Sequence, residues 1–104
     1  MFEILKELFG FGPKVNYAEL IKSGAIVIDV RSKGEFEGGH MKGSVNIPLK
    51  NLQNQMGKIK KDKPIITCCA SGSRSASAKS ILKSNGFKEV YNGGSWMSVR
   101  NKIN

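Results

Sequence analysis

Long apolar runs are missing from this sequence of 104 residues. No stretch approaches the roughly 20 apolar residues that a helix needs to cross a bilayer, so we predict no transmembrane segment. Proline is scarce, with 3 residues, and 39% of the chain is hydrophobic against 24% charged. These proportions exclude collagen-like and disordered chains, and the length suits one globular domain with one core.

Soft metal ligands are also few. The chain has two cysteines, adjacent at Cys68 and Cys69, and a single histidine, His40. This set is too small for a closed zinc site, and neighbouring Cα atoms lie about 3.8 Å apart, too close for a usual disulfide. We therefore expect no metal and no disulfide, and each cysteine is either inert or reactive.

Acidic residues are outnumbered, because 17 Lys and Arg against 8 Asp and Glu give a net charge of +9. Such a charge attracts anions of any kind and does not choose among them. The densest basic group comprises Lys58, Lys60, Lys61 and Lys63, and it lacks the interleaved aromatics of a single-strand binding surface. We interpret it as a solvated loop and expect no nucleic acid as the main partner.

Residues 1–12 carry apolar side chains at helical spacing between Glu3, Lys6 and Glu7, which predicts an amphipathic helix. The segment lacks the basic start, continuous apolar stretch and cleavage site of a secretory signal, so we expect a cytoplasmic protein. The apolar face of this helix either packs on the domain or docks on a membrane or partner. The folded domain is then expected over residues 13–104.

Four short apolar runs have the composition of buried strands: 25–30, 44–47, 64–68 and 89–91. Capping patterns open two short helices, one at Asn16 with Glu19 and one at Ser32 with Glu35. Helical spacing of apolar residues indicates three further helices: one over 49–59, one that begins near residue 74 and ends at 85–86, and one after 93–94. Strands that alternate with helices predict an α/β fold with a mainly parallel sheet.

The loop after the third strand has the best residues for chemistry. Ligands of open α/β sheets bind beyond the carboxyl ends of the strands, and Cys69 falls there, at the mouth of the loop. The small residues Ala70, Ser71, Gly72 and Ser73 allow the backbone N–H groups to form an anion nest, and the following helix start and Arg74 add positive charge. These groups favour a thiolate, so we predict that Cys69 is a nucleophile and that Cys68 is a core residue.

Three ordered motifs resemble those of the rhodanese-like sulfurtransferase family, over residues 15–98. The first, 69–75 (CASGSRS), resembles its active-site loop, in which a Cys is followed by Gly, Arg and Ser. The second is Asp29-Val30-Arg31, then Glu35-Phe36, then 39–48 (GHMKGSVNIP). The third is Gly86-Phe87 with Val90, followed by 93–96 (GGSW). Together the three motifs cover most of the chain.

This resemblance implies a rhodanese-like three-layer sandwich, with a central, mainly parallel, five-stranded sheet flanked by helices. It also implies a monomeric thiosulfate sulfurtransferase that needs no cofactor. Cys69 would take a sulfane sulfur from a small anionic donor such as thiosulfate, as a persulfide, and pass it to cyanide, a thiol or a sulfur-acceptor protein. The substrate-binding loop would comprise Ala70, Ser71, Gly72, Ser73, Arg74 and Ser75.

The other matched residues have supporting roles. Asp29 and Arg31, at the end of the first strand, either fix the geometry of the loop or pair with each other. We interpret Glu35 as a helix cap, His40 as a structural residue rather than a general base, and Trp96 as part of the core.

Two alternatives stay open from the sequence. Cys68, five residues and then Arg74 also fit the phosphate-binding loop of cysteine phosphatases and arsenate reductases, although Thr67 stands where those enzymes usually have His. The second alternative is a rhodanese module without turnover, which carries sulfur or binds a partner.

Overall fold

The computed structural model describes residues 15–103. The amphipathic helix expected over residues 1–12 lies outside the described residues, so it stays a prediction, as does the domain boundary that follows it. Among the described residues, no helix has the length and apolar character needed to span a membrane.

The described chain alternates helices and strands. The helices are α1 (Tyr17–Lys22), α2 (Lys33–Glu37), α3 (Leu52–Gln55), α4 (Ser73–Ser84) and α5 (Trp96–Ile103). The strands are β1 (Ile26–Asp29), β2 (Val45–Asn46), β3 (Ile65–Cys69) and β4 (Val90–Ser95). Capping explains where two helices begin, because the Asn16 side chain accepts the N–H of Glu19 and Ser32 forms a complete capping box with Glu35.

The four strands form one parallel sheet in the order β2-β1-β3-β4. The predicted α/β sandwich is confirmed, and each apolar run of the sequence has become one strand. The count of five strands was wrong for residues 15–103, where the sheet has four. Five came from the family resemblance, whereas the sequence itself contains only four runs with the composition of a buried strand.

Two apolar clusters pack on the two faces of this sheet. One face carries Ile28, Ile65 and Leu82, and the other carries Val27, Ile66 and Val99. Side chains alternate between faces along a strand, so the adjacent cysteines of β3 separate: Cys69 joins the first cluster and Cys68 the second.

The helix predicted over 49–59 is continuous over residues 49–58 but is not a regular α-helix. Its apolar residues are buried at Leu52, Met56 and Ile59, but the segment consists of two 3₁₀ turns on either side of the one-turn helix α3. Pro48 at its start and Gly57 near its end disfavour a regular α-helix, and asparagines between them add little helix propensity.

The last strand is longer than the run predicted at 89–91, because β4 continues through Gly93 and Gly94 to Ser95. Thr67 pairs with Asn92 and Cys69 with Ser95, so β4 has one residue more than β3 between these pairs. The two glycines form this bulge. A Cβ at Gly93 would lie 2.8 Å from the carbonyl oxygen of Thr67, and this close approach explains why glycine is needed there.

Candidate functional site: a cysteine loop at the carboxyl end of the sheet

Cys69 is the last residue of β3, and its sulfur faces the start of α4. The N–H of Gly72 donates to Cys69 Sγ at 2.9 Å, and the N–H of Ser75 donates to it at 3.3 Å. Cys69 has 0% exposure, so it lies beneath the loop and not at an open mouth as the sequence suggested. The loop curls over the sulfur because its N–H groups find an acceptor there.

The loop closes over Cys69 through a glycine. Gly72 precedes α4 with a φ of 112°, a backbone conformation that residues with a side chain rarely adopt. This turn directs the N–H of Gly72 inward, toward the sulfur, while Ala70 and Ser71 are exposed on the outside. A helix of 12 residues begins directly behind, so its positive dipole end also points at the sulfur. The arrangement stabilises negative charge on Cys69 or on an atom bound to it.

A polar network supports this loop; it is buried at Thr67 and Ser75 and ends at the exposed Asn92. Ser75 Oγ lies 2.8 Å from Thr67 Oγ1 and donates to Asn92 Oδ1 at 2.6 Å. Asn92 Oδ1 also accepts the N–H of Gly94 at 2.9 Å. The network ties the first turn of α4 to β3 and to the bulge of β4, and so fixes the N–H of Ser75 against Cys69. Its members are polar residues far apart in the chain, a pattern without a local sequence signal.

Arg74 lies in the first turn of α4, and its guanidinium pairs with Glu35. The two Nη atoms of Arg74 donate to the two carboxylate oxygens of Glu35 at 2.7 and 3.0 Å. The hydrogen bond from Arg74 lowers the pKa of Glu35 to about 2. The sequence explained Glu35 only as a cap, which it also is. Because the partners lie 39 residues apart, spacing could not predict this second contact.

Asp29 and Arg31 form a buried ion pair at the end of β1. Arg31 Nε donates to Asp29 Oδ1 at 2.9 Å and Arg31 Nη2 to Asp29 Oδ2 at 2.7 Å. Hydrogen bonding to Asp29 raises the pKa of Arg31. Arg31 also donates to the backbone carbonyls of Glu35 and Gly39, at 3.3 and 2.8 Å. The pair therefore holds α2 against the carboxyl end of the sheet.

His40 and Trp96 lie near this pair. The His40 ring is exposed, stacks on Phe36 with centroids 3.7 Å apart, and places Nδ1 2.8 Å from the carbonyl oxygen of Phe36. Trp96 is half-buried against the second apolar cluster, and the guanidinium of Arg31 lies 5.1 Å from its ring centroid. These contacts agree with the structural roles expected for both side chains, which stay predictions.

Cys68 is separated from the loop by the sheet. It has 0% exposure and packs with Val27, Ile66 and Val99. Burial, with a smaller effect from the nearby Asp29 carboxylate, raises the pKa of Cys68 to about 12. Its sulfur is thus a protonated thiol at neutral pH. The sulfur that accepts the N–H groups of the loop is that of Cys69, one residue later.

A groove of about 980 Å³ opens beside the loop, and Arg74 forms part of its wall. Its other walls are largely apolar, with Val30, Phe36 and Leu49, and Lys33 lies among the charged residues that line it. The groove is linked to the cysteine strand, because the N–H of Val30 donates to the carbonyl of Cys68 at 2.9 Å. Within residues 15–103, no three side chains of the metal-ligating types come together.

The chain is thus an α/β domain with a parallel sheet. A central strand of this sheet ends in a cysteine, and two backbone N–H groups of the following segment donate to its sulfur. The family model that matches it, described as the rhodanese-like domain, covers residues 14–101. The chain belongs to the rhodanese-like domain family.

Two curated relatives are similar to this chain in sequence. The uncharacterized protein YqhL of Bacillus subtilis (strain 168) is 46% identical over 68 residues, which are 65% of this chain and 54% of YqhL. The chain thus spans about half the length of that relative. The thiosulfate sulfurtransferase GlpE of Ectopseudomonas mendocina (strain ymp) is 37% identical over 73 residues, 70% of this chain and 67% of GlpE.

Solved structures share the fold. A rhodanese with anions from E. coli superimposes with a TM-score of 0.68 at 30% identity, over 72% of this chain and 91% of that one. A rhodanese-related protein from Thermoplasma volcanium gives a TM-score of 0.67 at 30% identity, over 86% of this chain and 91% of that one. The family predicted from the three motifs is confirmed.

Proposed function

We propose that this protein is a sulfurtransferase that moves a sulfane sulfur from thiosulfate, or a similar anionic donor, to cyanide or a thiol. The observation that carries the proposal is the convergence of two backbone N–H groups on Cys69 Sγ, at 2.9 and 3.3 Å. Membership of the rhodanese-like family and the relatives named thiosulfate sulfurtransferase support it.

The reaction has two half-reactions at one sulfur atom. The Cys69 thiolate attacks the outer sulfur of thiosulfate, a new S–S bond forms, and the S–S bond of the donor breaks with its electron pair leaving on sulfite. The enzyme then holds a Cys69 persulfide anion. Cyanide attacks the outer sulfur of that persulfide, leaves as thiocyanate, and returns the Cys69 thiolate. Neither half-reaction requires a cofactor.

The loop supplies the stabilisation that this chemistry needs. The N–H groups of Gly72 and Ser75 donate to Cys69 Sγ, the atom that carries the negative charge before the first half-reaction and again after the second. Arg74 lies near the loop and has a guanidinium that can donate to the anionic donor, although it is paired with Glu35 in this structure. Since Cys69 has 0% exposure, its sulfur must become accessible before a donor can reach it.

The orientation and burial of Cys68 disfavour the phosphatase and arsenate reductase alternative. That reading needs Cys68 as the attacking thiolate, inside a loop that curls around it. Instead, Cys68 faces the opposite apolar cluster, and burial raises its pKa to about 12. The N–H groups of the loop converge on Cys69 Sγ.

The test is intact-protein mass spectrometry after incubation with thiosulfate, with peptide mapping and an assay of thiocyanate formed on adding cyanide. We expect one added sulfur atom on Cys69, removed by cyanide. Cys69→Ser should lose both signals, and Cys68→Ala should keep them, because only Cys69 contacts the loop. A persulfide on Cys68, or an unmodified wild-type protein, would refute the proposal. A persulfide that passes to protein thiols but not to cyanide would identify a sulfur carrier.

A further inference from the structure

The positive charge of Arg74, which would attract an anionic donor, is already paired with the carboxylate of Glu35. Both oxygens of the carboxylate accept from the guanidinium, at 2.7 and 3.0 Å. The side chains are 37% and 39% exposed, so the pair lies at the surface, within reach of solutes. Arg74 is therefore accessible, but its positive charge is largely compensated.

The Glu35 carboxylate is fixed in place from several directions. Oε1 of Glu35 accepts from the N–H and the hydroxyl of Ser32, at 3.1 and 3.0 Å. The backbone carbonyl of Glu35 accepts from Arg31, which is itself held by the buried Asp29. A carboxylate anchored in this way does not swing aside when an anion arrives. Arg74 has the longer and more flexible side chain, so Arg74 must move or share its donors.

The pair also persists over the pH range of an assay. The pKa of Glu35 is about 2, because Arg74 and Ser32 hydrogen-bond its charged form. Its negative charge is thus constant from weakly acidic to alkaline pH. Any effect of that charge on an approaching anion is equally constant.

We propose that Glu35 is a specificity-determining residue, whose anchored carboxylate competes with the anionic donor for Arg74. It acts through Arg74 and is therefore a positioning residue rather than a catalytic one. The competition weakens binding most for donors with two negative charges. This inference rests on the proposed function for its kinetic consequences, but the competition itself can be measured as binding.

The kinetic test compares Glu35→Gln with wild type for two donors, the thiosulfate dianion and the methanethiosulfonate monoanion. Glutamine keeps an oxygen for the Ser32 cap and removes the charge. We expect KM for thiosulfate to fall about fivefold, the effect of one charge pair about 4 Å apart in water, with kcat nearly unchanged. KM for methanethiosulfonate should fall less. The ratio of the fold-change in KM for thiosulfate to that for methanethiosulfonate should be the same at pH 6 and pH 9.

The matched control is Glu19→Gln. Glu19 is exposed, lies in α1 outside the groove that Arg74 lines, and this substitution makes the same change in net charge. A change in KM below about twofold is expected, because Glu19 does not share the guanidinium of Arg74. Equal effects in both variants would show that net charge is responsible, and would overturn the inference.

A binding experiment separates this inference from the proposed function. In the Cys69→Ser protein, which cannot turn over, thiosulfate is titrated while the side-chain carboxyl carbon of Glu35 and the Nε–H of Arg74 are followed by NMR. We expect both signals to move together, and the dissociation constant to fall about fivefold when Glu35→Gln is added. Signals that do not respond to thiosulfate, or an unchanged dissociation constant, would refute the competition even if the wild-type protein forms a persulfide.

If Glu35→Gln disturbs the fold, the NMR titration still tests the competition, because it begins from the Cys69→Ser protein, in which Glu35 is present. Movement of the Glu35 carboxyl signal on adding thiosulfate supports the competition without the second substitution. Conversely, failure to form a persulfide in wild type, together with the expected shifts in Cys69→Ser, would refute the sulfurtransferase proposal and leave the competition standing.

Discussion

Gly93→Ala is the substitution whose cost can be worked out most directly from the structure. An added Cβ would lie 2.5 Å from Val99 Cγ2, 2.8 Å from the carbonyl oxygen of Thr67 and 3.1 Å from Ile66 Cγ2. The distances to Val99 Cγ2 and to the Thr67 oxygen are shorter than van der Waals contacts of a Cβ atom allow. The Thr67 carbonyl belongs to a central strand, so it cannot retreat without breaking the pairing of β3 with β4.

Overpacking of a close-packed core costs about 1–3 kcal/mol, and the clash with backbone places this case at the upper end. In a domain of this size, each kcal/mol changes Tm by roughly 4–8 °C. We therefore expect Gly93→Ala to lower Tm by about 10–20 °C and to lower the urea midpoint in proportion. The measurement is thermal and urea unfolding followed by circular dichroism.

Gly34→Ala is the control. Gly34 lies in helix α2 with nothing within 4 Å of an added Cβ, so the same substitution there adds no clash and removes backbone freedom. It should leave stability unchanged or raise it by up to about 1 kcal/mol. A Gly93→Ala protein with the Tm of wild type, or of the control, would show that β4 relaxes freely and would refute the reasoning.

Two further predictions concern the loop and its surface pair. Ser75→Ala should lower stability by about 0.5–1.5 kcal/mol, because it removes the hydrogen bonds of the Ser75 hydroxyl to Thr67 and Asn92; equal unfolding curves would contradict this. Thr67 keeps the backbone carbonyl of residue 75 as a partner, and Asn92 keeps the N–H of Gly94. Glu35 has a folded pKa of about 2 against an ordinary value of 4.5, so its contribution to stability is present above about pH 4.5 and is lost as the pH falls toward 2. Acid titrations of unfolding should show a weaker loss of stability over that interval in Glu35→Gln, and identical pH profiles would argue against the pair with Arg74.

Local patterns predicted the strands well because each buried strand needs a short apolar run. The runs at 25–30 and 64–68 became the central strands β1 and β3. The same reasoning did not extend the last strand beyond residue 91 to Gly93 and Gly94, because glycine is uncommon in strands. What keeps Gly93 in a strand is the approach of the Thr67 carbonyl from the neighbouring strand, a tertiary contact without a local signal.

Some features of the candidate site could likewise be predicted from the local sequence, and others depend on tertiary contacts. Cys69 and its small-residue loop could be found from the sequence because a strand, a loop and a helix follow one another directly. Glu35 and Arg74 could not be paired from the sequence, because they meet only after β1 and β3 bring α2 and α4 to the same end of the sheet. The burial of Cys69 was missed for a related reason, since it depends on an apolar cluster drawn from several elements and on a loop that folds back over the sulfur.

The opposite orientation of Cys68 and Cys69 in β3 also determines where a bound sulfur can go. Many thiol enzymes have a second cysteine that attacks the first and resolves the adduct as an internal disulfide. Here the sheet stands between the two sulfurs, since Cys69 packs with one apolar cluster and Cys68 with the other. Cys68 therefore cannot act as a resolving thiol while the sheet is intact. A sulfur held on Cys69, as proposed, leaves only to a molecule that comes from outside, so each chain stores a single transferable atom until an acceptor arrives.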